Sequence, residues 1–274
     1  MIEIGKKNKL KVEKFTEHGA YLTDGMQRIL LPKRYLWGAL RIGEELEVFV
    51  YNDSEDRPVA TTDLPVAQIG EVAFLEVVGT NRFGAFLDWG LPKDLLVPFG
   101  EQRAKMRVGG RYPVFIYLDD ASKRIVASAK ISKFLGNVFL SLKRGETVTA
   151  MVYEKTDLGW RVAVNNLYQG MIYDNEIFQP VEIGDTLTAV VKTVRDDGKI
   201  DLTPGDVREK RVGDLASTIL QSYHDNGNRL PVNDSSSPEE IKALFHCSKK
   251  DFKKAIGQLL KERKIDLSAA RGEG

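Results

Sequence analysis

A chain of 274 residues, with 42% hydrophobic and 29% charged residues, has the composition of a globular protein of about two to four domains. Its formal net charge of +1 excludes strong whole-molecule attraction to nucleic acid, so any such affinity must come from local patches. The single cysteine, Cys247, excludes an internal disulfide framework and predicts a reducing, cytoplasmic location. The start, MIEIGKKNKL, has no apolar signal segment and no apolar run is long enough to span a membrane, so we expect no membrane partner.

Three diverged copies of one pattern follow each other along the chain, about 65 to 75 residues apart. The first half of each copy reads as a strand leading to a glycine, then a second strand, a turn and a third strand. The second half reads as a strand, an Asp-containing turn, a basic residue and a short last strand. Five short strands with a glycine at the sharpest bend predict small Greek-key barrels of the OB type. We predict these barrels at residues 1–62, 63–132 and 138–204.

The stretch RFGAFLDWGLPKDLLVP in the second copy places two phenylalanines around a glycine at the head of a strand. Strand alternation puts Phe86 on the solvated face, where an aromatic ring is a stacking platform for an unpaired base. Alternation puts Phe83 on the same face as Ala85, although the bend at Gly84 can turn it outward. Burial of either ring in the core remains the alternative, and Phe86 is the stronger candidate for an open ring.

The three copies resemble S1-type RNA-binding domains, whose signature is an aromatic, a glycine, a small residue, an aromatic and an aliphatic residue. FGAFL at 83–87 matches this signature fully, HGAYL at 18–22 matches it more weakly, and LGWRV at 158–162 departs from it at three positions. The histidine that S1 domains carry after the third strand is replaced in every copy, by Pro32, Pro98 and Tyr173.

The S1 resemblance implies RNA binding on the second and third strands, helped by an Asp-x-x-x-Arg pair that is present as Asp53/Arg57 and Asp120/Arg124. The third turn is one residue shorter, with Asp196 and Lys199 as approximate equivalents. Candidate RNA-binding residues are Phe83, Phe86, Asp120 and Arg124 in the second copy, His18, Tyr21 and Arg57 in the first, and Arg161, Tyr173 and Lys199 in the third. Turn-stabilising ion pairs are the alternative for the basic residues, and a spacer or docking role is the alternative for the first and third barrels.

Helical periodicity replaces the strand pattern near Arg208. Ser237 followed by Pro238 and Glu240 predicts the start of a second helix, and Ser248 predicts the start of a third. The tail KIDLSAARG reads as a short strand and loop. Three helices and a terminal β element resemble a winged-helix domain, at residues 208–274.

The third predicted helix carries lysines on the side opposite its apolar stripe. Lys250, Lys254 and Lys261 are candidates for contacts with the phosphates of a nucleic acid. A solvated helix face without a ligand is the alternative.

Three S1-like barrels followed by a winged helix, together with the loop GLPKDLLVP, resemble the conserved virulence factor B family of bacterial RNA-binding regulators. The resemblance implies cytoplasmic RNA binding that affects gene expression, without catalysis. The residues themselves also predict no enzyme and no cofactor, since the three histidines and one cysteine have no metal-ligand spacing and no phosphate-binding glycine loop is present. The aspartate pairs at 119–120 and 196–197 fit turns better than a two-metal site.

Two functions therefore remain open. The first is a regulator that binds single-stranded RNA by base stacking and phosphate contacts. The second is a protein-docking adaptor for the transcription or translation machinery, without a direct grip on RNA. The sequence leaves the target transcripts and the oligomeric state undetermined.

Overall fold

The structure, a computed structural model, describes residues 1–36, 40–137, 141–177, 180–205, 208–227, 229–233, 235–245, 247–262 and 264–265. The chain divides into two compact units, Met1–Phe139 with Ala163–Gln169, and Leu140–Val162 with Gly170–Gly274. Apart from Lys264 and Ile265, the predicted strand and loop of the tail lie outside this description. Among the residues described, no helix is both long enough and apolar enough to cross a membrane.

Barrels of five strands form three times along the described part of the chain, as predicted. Barrel 1 contains β1 (Lys7–Thr16), β2 (Gly19–Thr23), β3 (Arg28–Pro32), β4 (Glu45–Asn52) and β5 (Pro58–Thr61). Barrel 2 contains β6 (Val72–Thr80), β7 (Gly84–Asp88), β8 (Leu95–Pro98), β9 (Arg111–Leu118) and β10 (Ile125–Ser128). Barrel 3 contains β11 (Thr147–Thr156), β12 (Gly159–Val164), β13 (Tyr168–Tyr173), β14 (Thr186–Val194) and β15 (Ile200–Pro204).

Each barrel closes in the same strand order, first-second-third-fifth-fourth, with the fourth strand pairing back to the first. The third and fifth strands run parallel, which is the Greek-key arrangement of the OB fold. Period-two alternation fills the interior: in β1, Leu10 and Val12 are buried while Lys9 and Lys11 are exposed. The fold class predicted from the sequence is thus confirmed for the barrels.

The glycine that opens the second strand of each barrel is required by a close backbone approach. A Cβ atom on Gly84 would lie 2.1 Å from the carbonyl oxygen of Val97, on the neighbouring strand β8. The same clash, at 2.1 and 2.3 Å, would arise at Gly19 and Gly159, which also have φ angles of +147° and +151°. Three matched glycines in the sequence therefore mark three matched contacts between the second and third strands.

Barrel 1 has its own interior cluster, but its residues Phe49, Tyr51 and Val59 pack into the hydrophobic core of barrel 2. The ring of Phe49 in β4 meets the ring of Trp89, after β7, edge to face with centroids 5.8 Å apart. The backbone N–H of Ile69 donates to the carbonyl of Gly5 at 2.9 Å, which joins the two barrels on another side. This packing fixes the turn between β4 and β5 against barrel 2, and that position creates the site described below.

The C-terminal helices are α1 (Arg208–Asp225), α2 (Pro238–Phe245) and α3 (Lys249–Lys261). The predicted capping box forms, since the Ser237 N–H donates to Glu240 at 2.8 Å and the Glu240 N–H donates to the Ser237 hydroxyl at 3.2 Å. Ser248 caps α3 by accepting from the Asp251 N–H at 3.1 Å. The three helices enclose a core in which Ile219, Ile241 and Phe252 are fully buried.

Candidate nucleic-acid interface

Phe83 and Phe86 both lie outside the buried core of barrel 2. Phe83 belongs to the turn between β6 and β7, where its N–H donates to the Asn81 side chain at 2.8 Å. Because the turn ends the alternation before Gly84, the Phe83 ring faces outward and is 57% exposed. Phe86 lies within β7, opposite Gly79 and Leu96, and is half-buried. The turn residue is thus the more open of the two rings, the reverse of the order predicted from alternation.

Both rings line a cleft of about 630 Å³ between barrels 1 and 2, here called the interbarrel cleft. Barrel 2 contributes Phe83, Phe86, Trp89, Lys93, Asp94 and Arg124 to its walls. Barrel 1 contributes Arg34, Tyr51, Asn52, Asp53 and Asp56. Two aromatic platforms and several charged groups therefore face one space large enough for a nucleobase.

Arg124 pairs across the cleft with Asp56 rather than with Asp120 of its own turn. Asp56 has a left-handed backbone with φ of +60°, and its carboxylate also lies 3.1 Å from the Lys93 ammonium group. Lys93 further donates to the carbonyl of Asp53 at 2.6 Å. Hydrogen bonds from Arg124 and then from Lys93 hold the pKa of Asp56 below its ordinary value. These contacts form a clamp between the two barrels.

Asp119, not Asp120, occupies the structural position that Asp53 has in barrel 1. Its N–H donates to the Arg124 carbonyl at 2.9 Å, and its carboxylate accepts from the Ser122 N–H at 2.8 Å. Asp120 is fully exposed, 3.5 Å from the Lys123 ammonium group. An extra residue in the second turn explains the shift, and it frees Arg124 to reach barrel 1.

We expect Asp56→Asn to loosen the clamp without straining the turn, because asparagine also tolerates a left-handed backbone. The urea midpoint falls near pH 7, since the ion pairs with Arg124 and Lys93 are lost. The pairs hold the pKa of Asp56 below 3.8, so their contribution is present above that pH and is lost as the pH falls through the lowered pKa. The difference between the urea midpoints of Asp56→Asn and the parent should therefore vanish in acid. Asp120→Asn is the matched control, and equal midpoints for Asp56→Asn and the parent near pH 7 would refute the clamp.

Arg57 is paired within its own turn. Its guanidinium contacts Asp53 at 2.9 Å and Glu55 at 2.9 Å. Burial alone would raise the pKa of Asp53, but hydrogen bonds from the Arg57 backbone and side chain outweigh it and lower that pKa. Arg57 does not line the cleft, so the structure gives it the ion-pair role that the sequence left as an alternative.

The predicted face of barrel 1 carries His18 and Tyr21, as the sequence indicated. His18 is exposed, with Nε2 3.4 Å from the Glu17 carboxylate. Tyr21 is half-buried, and the Lys14 ammonium group lies 5.2 Å from its ring centroid. This face offers one ring and one cation, a weaker version of the barrel 2 arrangement.

The predicted basic residues of barrel 3 are matched by carboxylates. Arg161 contacts Glu154 at 2.9 Å, and Lys199 contacts Asp197, rather than Asp196, at 2.7 Å. The Tyr173 hydroxyl accepts from the Arg195 guanidinium at 2.8 Å. These pairs leave little net positive charge on this face.

Helix α3 presents the three predicted lysines, Lys250, Lys254 and Lys261, to solvent. Gly257 lies between them on the same side of the helix, and a Cβ atom there would meet no atom within 4 Å. The opposite side buries Phe252, Ala255, Ile256 and Leu259. The lysine face is therefore an accessible basic surface.

Arg34, Asn52, Lys93 and Asp94 line the interbarrel cleft and were not predicted as site residues. Lys93 and Asp94 are adjacent charges inside the otherwise apolar loop GLPKDLLVP, and this pattern is the sequence signal that could have identified them. Arg34 and Asn52 carry no such signal, since their role arises from the packing of barrel 1 against barrel 2.

Comparison with known families matches residues 4–63 and 69–130 to an S1 domain model. Residues 217–271 match the CvfB-like winged helix domain. The chain therefore carries S1 domains and a CvfB-like winged helix domain, which confirms its resemblance to the conserved virulence factor B family. Barrel 3, with LGWRV in place of FGAFL, lies outside the S1 matches.

Relatives of this family match over most of the chain. Conserved virulence factor B of Staphylococcus saprophyticus is 26% identical over 240 residues, which cover 85% of this chain and 80% of the relative. YitL, an uncharacterized protein of Bacillus subtilis, is 27% identical over 271 residues, covering 95% and 90%. A solved multidomain protein with nucleic acid binding domains from Streptococcus pneumoniae has 23% identity, a TM-score of 0.41, and coverage of 96% and 95%. The S1 domains support a nucleic-acid-binding role for this chain.

Proposed function

We propose that the chain binds single-stranded RNA in the interbarrel cleft and on the adjoining face of barrel 2, without catalysing a reaction. Bases stack on Phe83 and Phe86, while cations at the cleft rim contact phosphates. Stacking suits RNA of varied sequence, because every base has a π face.

One observation carries this proposal: Phe83 is 57% exposed beside the half-buried Phe86, at the mouth of a cleft. Open aromatic rings on an OB surface cost free energy in water unless a ligand covers them. The Arg82 guanidinium, 4.8 Å from the Phe83 ring centroid, supplies positive charge at the same place.

The regulatory part of the proposal draws on the relatives named conserved virulence factor B. We propose that RNA binding by this chain regulates gene expression in the cytoplasm. Cys247, the single cysteine of the sequence, is buried and forms no disulfide, which is compatible with a reducing compartment.

Titration of the intact protein with a labelled RNA of about eight nucleotides, at low and high salt, tests the proposal. We expect saturable binding that weakens as salt rises, because phosphate contacts release counterions. A duplex of equal length should bind more weakly, since its bases are not free to stack. Absence of binding at low salt would refute the proposed function.

Helix α3 is expected to add phosphate contacts, which a salt titration can isolate. The triple variant Lys250→Ala, Lys254→Ala, Lys261→Ala should reduce the slope of log K against log salt by about 2, since each phosphate contact on a single strand contributes about 0.7. The exposed lysines of β1, replaced together as Lys7→Ala, Lys9→Ala, Lys11→Ala, give a charge-matched control with an unchanged slope. An unchanged slope for the α3 variant would leave its lysines as a solvated face.

A protein-docking adaptor is the second candidate function. The observation that favours it is the extent of charge pairing, since Arg57, Arg124, Arg161 and Lys199 all contact carboxylates. The adaptor would be supported if transcription or translation proteins are still pulled down after nuclease treatment and the protein binds no oligonucleotide. The same result would exclude direct RNA binding.

A further inference from the structure

Most charges that line the interbarrel cleft are paired, but two are not. Asp53 is bound by Arg57, and Asp56 is bound by Arg124 and Lys93. Within the part of the chain that the structure describes, no ion pair joins Arg34 or Asp94 to an oppositely charged side chain. Among these described residues, a ligand in the cleft therefore meets a guanidinium that contacts the Tyr51 hydroxyl but has no carboxylate partner, and a carboxylate that has no cationic partner.

Asp94 is an unexpected group for a site that binds a polyanion. A carboxylate repels phosphate, so the part of the RNA that lies against Asp94 is not the backbone. A carboxylate accepts hydrogen bonds only, which matches the N–H groups on the edge of a base. Burial, and then the nearby charge of Asp88, raise the pKa of Asp94, and an N–H donor from a ligand would relieve this.

Arg34 is the complementary group. Its guanidinium lies 4.7 Å from the Tyr35 ring centroid, which holds the side chain at the cleft wall. A guanidinium donates in a fork that fits two acceptors on a base edge.

Asn52 adds a third polar group to the same wall. Its side-chain oxygen is buried and, among the described residues, has no hydrogen-bond partner. Buried oxygens of this kind are nearly always satisfied by protein, water or ligand. The Asn52 oxygen is thus an unsatisfied acceptor in the wall of the cleft.

We infer that the interbarrel cleft selects guanine, read by Asp94 and Arg34 while the base stacks on Phe86. Guanine offers N1–H and N2–H donors on one edge, which suit a carboxylate, and O6 and N7 acceptors on another, which suit a guanidinium. Adenine and cytosine offer one amino group each. Uracil offers a single N–H between two carbonyl oxygens, which the Asp94 carboxylate repels.

This inference rests on the proposed function, because guanine reaches Asp94 only if single-stranded RNA binds in the interbarrel cleft. It adds a preference that stacking alone does not produce, since stacking tolerates every base. The preference depends on Asp94 and Arg34, which take no part in the clamp or in the aromatic platform.

The test compares two U-rich RNAs of about eight nucleotides that differ only in one central base, guanine or uracil, using the intact protein. We expect guanine to bind about tenfold more tightly, the discrimination of one bidentate contact at a partly exposed site. Replacing the guanine with inosine, which lacks the N2 amino group, should remove most of this gain without any change to the protein.

Asp94→Asn should abolish the preference for guanine, so that the guanine and uracil RNAs bind the variant with equal affinity. Asp88→Asn is the matched control, because it removes the same charge from a neighbouring residue that does not line the cleft. It should keep the preference.

Equal affinities of the parent protein for the guanine and uracil RNAs would overturn the inference, and so would a preference that survives Asp94→Asn. If either result is found and Phe86→Ala still weakens binding of both RNAs, the proposed function is supported but the guanine preference is not. If neither RNA binds the parent protein at low salt, the proposed function and the guanine preference are both refuted.

Discussion

Replacing Phe83 and Phe86 together with alanine is expected to weaken binding of a short single-stranded RNA about a hundredfold, with each single variant losing about tenfold. Each base stacked on an aromatic ring contributes about 1–3 kcal/mol, and the two rings offer two such platforms at the cleft. Fluorescence anisotropy with the intact protein, at fixed salt, measures the change directly.

Phe15→Ala is the matched control for this prediction. Phe15 is an exposed phenylalanine of barrel 1 that does not line the cleft, so its loss should change affinity less than twofold. Thermal melting should show that Phe83→Ala is folded, because an exposed ring contributes little to the core. Parent-like affinity for the double variant would remove stacking at barrel 2 from the account.

Gly84→Ala is expected to destabilise barrel 2 by about 3 kcal/mol, although it adds a single methyl group. The added Cβ would lie 2.1 Å from the Val97 carbonyl oxygen, so β7 and β8 must separate at the strand pair that carries Phe86. Urea unfolding followed by tryptophan fluorescence reports this loss, because Trp89 is buried next to the affected strands.

Gly79→Ala is the control in the same barrel. Gly79 lies in β6, where a Cβ atom would meet nothing within 4 Å, so alanine should be neutral or stabilise by up to about 1 kcal/mol. A urea midpoint for Gly84→Ala as high as that of Gly79→Ala would mean that the close strand contact does not exist.

The barrels were predictable because the local sequence patterns of this chain favour the same strands and turns that the complete fold contains. Strand alternation, a glycine at the close approach and an Asp turn each recur three times, and each has one structural cause. The starts of α2 and α3 were predictable for the same reason, since Ser237 and Ser248 cap the helices through local hydrogen bonds.

The site was only partly predictable, because its second wall comes from another barrel. The sequence identified Phe83, Phe86 and Arg124, but alternation ranked the rings wrongly since Phe83 belongs to a turn. The partner of Arg124 is Asp56, which lies 68 residues away in the sequence, so no local motif predicts that contact. Arg34 and Asn52 likewise become site residues only when barrel 1 packs against barrel 2.

In the proposed complex, unpaired bases lie on the aromatic rings of barrel 2. Ultraviolet crosslinking of the intact protein to a short RNA containing 4-thiouridine, followed by mass spectrometry of the crosslinked peptides, tests this without any substitution. We expect the main crosslinks to fall on Phe83 and Phe86. Crosslinks confined to barrel 3 or to α3, with none on these two rings, would contradict it.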